Sequence, residues 1–306
     1  MIIKTRYAKP PLSFQEQLEK LERSGLKIAN RDQALATLSC ISYYRLSAYW
    51  LPFKERNHSG QITENFQKGT EFNQVIELYE FDRQLRLLIN DAIERIEISI
   101  RTTITYHLSH KYGAFTLTKA KNFHPQFDHA GWLTEITKEI LRSREPFIEH
   151  YKEKYLEYPT LPVWMATEVS SFGSLSLLYK GLKNEDKGII SKNYNLHYKA
   201  LGNWLHFLTY IRNICAHHSR LWNKEFAIRP KLEGLSPEWL PPITPRNDRC
   251  FFALLILKHL LEHSNSTKAW VKNCESLINP ILHKHAWSRH SMGIVKQWEN
   301  HPLWLI

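Results

Sequence analysis

The chain has 306 residues, a hydrophobic content of 43% and a formal net charge of +11 with 16 histidines. That length and apolar content belong to a folded globular chain and exclude a disordered one. No run of about eighteen apolar residues exists, which excludes a membrane-spanning helix, while the positive excess favours phosphate-bearing partners.

The N-terminus, M-I-I-K-T-R-Y-A-K-P-P, lacks the apolar segment of a signal peptide, so the cytoplasm is the expected location. Residues 1 to 12 read as an arm closed by Pro10 and Pro11. Ser13 with Glu16 three residues later is a capping box, opening a helix that runs to about Ser24 and stops at Gly25. A second helix starts at Asn30 or Asp32. The following S-Y-Y-R-L-S-A-Y-W-L-P-F, residues 42 to 53, interleaves aromatics with Arg45, which suits core packing better than base stacking. Residues 54 to 70 read as a loop or hairpin-like connection.

Between Gly69 and Gly113 neither Gly nor Pro occurs, which predicts one helix of roughly 60 Å over residues 71 to 112. Leu78, Leu85, Ile89, Ile93, Ile96 and Ile100 line its apolar face. Arg83, Asn90, Glu94, Glu97 and Arg101 form a second stripe, read as salt-bridge lacing or as support for a catalytic face. After an irregular stretch from 113 to 132, whose K-A-K-N-F-H is a candidate phosphate contact, a helix is expected over 133 to 142. The charged residues from Glu145 to Tyr155 follow as another. Residues 163 to 172 read as a buried helix closed by Gly173, and 174 to 182 as its continuation. Past a Pro-rich connector, Asp248 opens an apolar helix that ends near His263, and another begins near Ser266 or Thr267. Trp287, Trp298 and Trp304 mark a tail that docks on the body. Cys40, Cys215, Cys250 and Cys274 form no C-x-x-C pair. They are expected to be buried small hydrophobes, not a disulfide framework or a zinc ribbon. The whole reads as all-α.

The stretch from Trp204 to Asn223 concentrates the chemistry and reads as an amphipathic helix. On a wheel with Arg212 at zero and about 100° per residue, Trp204, Phe207, Leu208, Ile211, Ile214 and Cys215 fall in one apolar arc. His206, Thr209, Asn213, His217 and Arg220 fall in a second, polar arc with Arg212 at its edge. On the same wheel His218 drops into the apolar arc, so it reads as a core or helix-end histidine and His217 as the chemical one.

An Arg, an amide and a His in the order R-N-x-x-x-H suit RNA cleavage without a metal cofactor. A base titrating near neutrality takes the ribose 2′-OH proton, and a guanidinium holds the charge that builds on phosphorus. Asn213 is placed to orient the His217 ring by a hydrogen bond. Arg212, His217 and Asn213 are therefore the expected catalytic residues; Arg220, His206, Lys224 and Arg101 are the expected RNA contacts. Arg212 and His217 stand about 140° apart on the helix. Two copies meeting across a two-fold axis would bring both groups to one phosphate, so a homodimer with a composite site is expected.

The span I-R-N-I-C-A-H-H-S-R-L-W-N, residues 211 to 223, resembles the signature of bacterial abortive-infection (Abi-like) proteins of the HEPN superfamily. So do residues 78 to 101, V-W-M-A-T-E-V-S-S-F-G at 163 to 173, the N-terminal Y-Y-R-L-S-A-Y and the tail G-I-V-K-Q-W-E-N-H-P-L-W. The resemblance implies an all-α, dimer-forming fold built around an R-x4–6-H motif, and an endoribonuclease activity in phage defence or a toxin-like role. In this chain the motif falls on Arg212 and His217, and His218 also satisfies the looser spacing. Some relatives occur beside a small structured RNA that restrains them, so an RNA regulator is implied as well as an RNA substrate. The expected organisation is an N-terminal helical extension over 1–68, a HEPN-like helical core over 69–245, and a C-terminal helical extension over 246–306.

Other readings stand beside this one. A non-catalytic RNA-binding or partner-binding module would keep the fold and show salt-sensitive affinity without products. A metal site on Cys215, His217 and His218 is disfavoured because ligands at i, i+2 and i+3 leave a helix in different directions. Cys215 as a nucleophile is disfavoured by its place on the apolar arc. No cofactor and no membrane association are expected.

Overall fold

A computed structural model describes residues 10–262 and 267–305, together with Arg6 and Ala8. The first residues of the expected arm and the segment around His263 and Ser266 lie outside the described residues. The chain divides into two compact units, one reaching to Gln84 and the other starting at Leu85.

In the first unit, α1 (Phe14–Arg23) is opened by Ser13, with both halves of the capping box formed to Glu16. Gly25 then turns the chain at a φ of 89°, the left-handed region that favours glycine. Asn30 caps α2 (Arg31–Cys40) through its side chain, and Ser42 caps α3 (Tyr43–Trp50). The segment expected as a loop or hairpin-like connection contains two antiparallel strands, β1 (Lys54–Arg56) and β2 (Ile62–Phe66), with Lys54 opposite Phe66. Tyr49, Trp50 and Phe53 are buried, which bears out the core reading of the aromatic run, although Tyr44 is 88% exposed. The Tyr49 hydroxyl donates to buried Asp82 at 2.7 Å.

The long helix α4 (Phe72–Tyr112) forms as its Gly- and Pro-free sequence requires. In the second unit follow α5 (His129–Arg142), α6 (Pro146–Lys154), α7 (Val163–Glu168), α8 (Phe172–Gly181) and α9 (Asn184–Lys192). The buried helix expected to run from 163 to 172 breaks at 169–171. There the Ser171 side chain caps α8, and Gly173 lies inside that helix instead of ending one. Next come α10 (Tyr198–Ala216), α11 (Cys250–Leu261), α12 (Thr267–Lys284) and α13 (Ala286–Met292). Asp248 does not cap α11, whose N-cap is Arg249; the Asp248 carboxylate is clamped by Arg246 through two bonds of 2.9 Å.

Among the described residues the fold is all-α but for the small hairpin. Helix α11 is apolar all round and buried along nearly its whole length, as expected of a helix enclosed by others. The tail docks as anticipated. The Trp304 indole donates to Glu275 at 2.9 Å and the Trp298 indole to Asn279 at 3.1 Å. Buried Lys258 reaches the Leu305 carbonyl at 2.7 Å. Cys215, Cys250 and Cys274 are buried, whereas Cys40 is exposed at the end of α2, contrary to expectation. No helix among the described residues is long and apolar enough to cross a membrane.

Candidate functional site

Helix α10 packs against α8, α9 and α11 and buries Trp204, Leu205, Phe207, Leu208, Ile211, Ile214 and Cys215. It approaches α8 closely at Gly202, where an added Cβ would sit 3.2 Å from the Tyr179 ring. His206, Arg212 and Asn213 stand on the solvent side and are exposed, so the amphipathic reading holds for this part of the helix.

The helix stops earlier than its periodicity suggests. The last helical residue is Ala216, not Asn223. The His217 N–H donates to the Asn213 carbonyl at 3.0 Å, the His218 N–H to Cys215 at 3.0 Å, and the Ser219 N–H to Ile214 at 2.9 Å. The last two bonds are the crossed pair of a Schellman cap. His217 is the C-cap residue, and His218 occupies the following position with a φ of 55°. Glycine is usual there, and a residue with a Cβ is disfavoured by on the order of 1 kcal/mol.

Beyond the cap, Leu221 and Trp222 are fully buried, and the Trp222 ring lies 5.4 Å from that of Trp287. Burying these two large side chains takes the chain off the helix axis. This turn decides one expectation and corrects another. Of the two places expected for His218, core or helix end, it takes the helix end, where it is exposed. Arg220 and Lys224 lie past the helix, both half-buried, so Arg220 does not belong to the polar arc on which the wheel placed it.

Arg212 lines one wall of an open groove of about 370 Å³, together with Ala216. The opposite wall comes from α4 and carries Asn90, Ile93, Glu94, Glu97, Ile98 and Arg101. Four residues of the charged stripe seen in the sequence thus face the Arg of the motif. The lacing reading holds too, because Arg101 Nη2 donates to Glu97 Oε1 at 2.7 Å. The same Nη2 reaches the Ser170 carbonyl at 3.1 Å, in the break between α7 and α8. Arg101 Nε is buried without a hydrogen-bond partner. Burial pushes the Glu97 carboxyl above the ordinary carboxylate range, more than the charges of Arg101 and Arg212 pull it down.

The residues predicted for the site are thus gathered only in part. Arg212 and Arg101 share the groove, but His217 is not among its lining residues. His217 is exposed at the helix end, about 140° around from Arg212. His206 is exposed as well, but sits about 16 Å back along the axis from His217. No side-chain bond joins Asn213 to the His217 ring among the described residues; the link between them is the backbone one. The acidic character of the wall facing Arg212 was not expected, although the spacing of Glu94 and Glu97 on the stripe carried the signal. No group of three or more His, Cys, Asp or Glu among the described residues is arranged to hold a metal ion.

A second polar cluster lies at the far end of α4. Asp186, fully buried at the start of α9, accepts from His107 at 2.7 Å, Lys111 at 2.7 Å and the Tyr112 hydroxyl at 2.9 Å. Burial alone would push the Asp186 carboxyl up, but these bonds outweigh it and hold it below the ordinary range.

No curated protein and no solved structure matches the chain. The family model described as Abi-like protein matches residues 36–223, more than half of the chain and all of the groove and helix end described above. The chain belongs to the Abi-like protein family.

Proposed function

We propose that the chain is an endoribonuclease of the abortive-infection type, acting in phage defence or as a toxin, with the ribose 2′-OH as the nucleophile. The observation that carries this reading is the exposure of Arg212, Asn213 and His217 at the end of a helix whose other face is sealed in the core. Such a helix is a rigid mount for a base and a cation. His217 takes the 2′-OH proton, Arg212 meets the phosphoryl oxygens through its planar fork, and Asn213 adds a polar contact between them. HEPN-type chemistry of this kind draws on side chains alone.

Within one protomer Arg212 lines the groove and His217 does not, which favours a two-fold dimer whose partner completes the site. On α4, Ile98 in the groove is 51% exposed and Leu87 is 55% exposed, apolar surface of the kind a second copy would cover. Exposed His206 and the basic balance supply further attraction for the RNA backbone. Arg101, tied to Glu97, acts at the edge of the groove, and a small structured RNA bound there would restrain the enzyme. The second reading, a non-catalytic RNA-binding module, is favoured by one observation: Glu94 and Glu97 face Arg212 and weaken its pull on phosphate.

Purified wild type, Arg212→Ala and His217→Ala proteins, incubated with total cellular RNA, separate the two readings. Each substitution is expected to slow cleavage by roughly 10² or more, and expression of the wild type alone should arrest growth. Variants that cut as fast as the wild type would refute the nuclease reading; RNA binding without products would support the binding module.

A further inference from the structure

Three non-glycine residues among those described have positive φ, namely Asn195, His218 and Gln297, and of these His218 alone adjoins the candidate site. Its place in the Schellman cap is one that glycine fills with less strain. The hydrogen bonds of the cap come from backbone N–H groups, so the ending of the helix needs no imidazole. Had α10 continued, position 218 would face the apolar arc with Ile214 and Cys215, roughly 240° from Arg212. With the helix ended before that position, His217 and His218 are both exposed. A strained residue beside a functional side chain is a recurrent device for aiming a group.

Resting on the nuclease reading, we propose that His218 is a second catalytic imidazole, the proton donor to the leaving group, supplied by the same protomer as His217. In the reaction the 2′-oxygen forms a bond to phosphorus while its proton passes to neutral His217. The bond from phosphorus to O5′ breaks, and the departing oxygen takes a proton from protonated His218. The products are a 2′,3′-cyclic phosphate and a 5′-hydroxyl; His217 ends protonated and His218 neutral, so the proton count is unchanged.

The test uses an RNA that the wild type cleaves, and the same RNA resynthesised with sulfur replacing O5′ at the mapped scissile position, since a thiolate leaves without a proton. His218→Gly is expected to melt no lower than the wild type, to cut the ordinary RNA about 10²-fold more slowly, and to cut the thio-substituted RNA at close to the wild-type rate. His217→Ala should be slow on both. His218→Asn, which also tolerates the left-handed turn, should behave like the glycine variant and stands in for it should that variant not fold. A His218→Gly protein as active as the wild type, beside an inactive His217→Ala, would overturn the second imidazole and leave the nuclease reading intact. Equal slowing of His218→Gly on both substrates, or a lower melting temperature, would overturn it in favour of a structural histidine. A wild type that cuts no RNA removes the nuclease reading and this proposal together.

Discussion

Glu97 has two charged neighbours with different consequences. Arg101 is bound to it directly, whereas Arg212 feels it only through space. Removing the Glu97 charge should leave Arg212 more attractive to phosphate. Glu97→Gln, which keeps an acceptor for Arg101, is therefore expected to bind RNA roughly three- to tenfold more tightly at low salt, with the gain shrinking as salt rises. Filter binding across a salt series checks this; affinity unchanged at every salt would show that the carboxylate does not restrain Arg212. The contrast between His217 and His218 also belongs to this scale. The helical wheel put His217 on the polar arc and His218 on the apolar one, but it assumed a helix that had already ended, and both residues are exposed.

Helices α4 and α9 are joined by the Asp186 cluster, where one carboxylate serves a His, a Lys and a Tyr. Asp186→Asn keeps the shape and removes the charge from a buried ion pair, which should cost roughly 3 kcal/mol. The pH dependence has a definite sign. The folded state holds this carboxyl low, so its contribution is complete above the ordinary carboxylate range and is lost as pH falls through the folded value. Urea denaturation of both proteins should show a large gap near pH 7 that closes under acid conditions; a gap independent of pH would mean that shape, not charge, carries the effect. The capping box that opens α1 and the Gly-free run that forms α4 were legible because they are local. The break between α7 and α8 was less so, since the start of α8 is held in part by a distant residue: Glu139 on α5 accepts from the Ser171 N–H and from the Ser174 hydroxyl.

For the molecule as a whole, the decisive question is whether one copy suffices. Leu87→Glu and Ile98→Glu put charge on exposed apolar positions and should leave the fold within about 0.5 kcal/mol of the wild type. If the partner completes the site, both variants sediment as monomers and lose RNA cleavage together. A monomeric variant with full activity would place the whole reaction in one protomer.

The sequence by itself determined the helical class, most helix starts, the burial of one side of α10 and the exposure of Arg212, Asn213 and His217. Those features depend on residues within a few turns of one another, where periodicity and capping chemistry act. Only the tertiary structure decided where α10 ends, that His218 is turned into solvent, and that Glu94 and Glu97 face Arg212. Each of these follows from the packing of distant segments. Trp222 settles against Trp287 and draws the chain off its helix, and the stripe on α4 acquires its meaning only when α10 lies beside it.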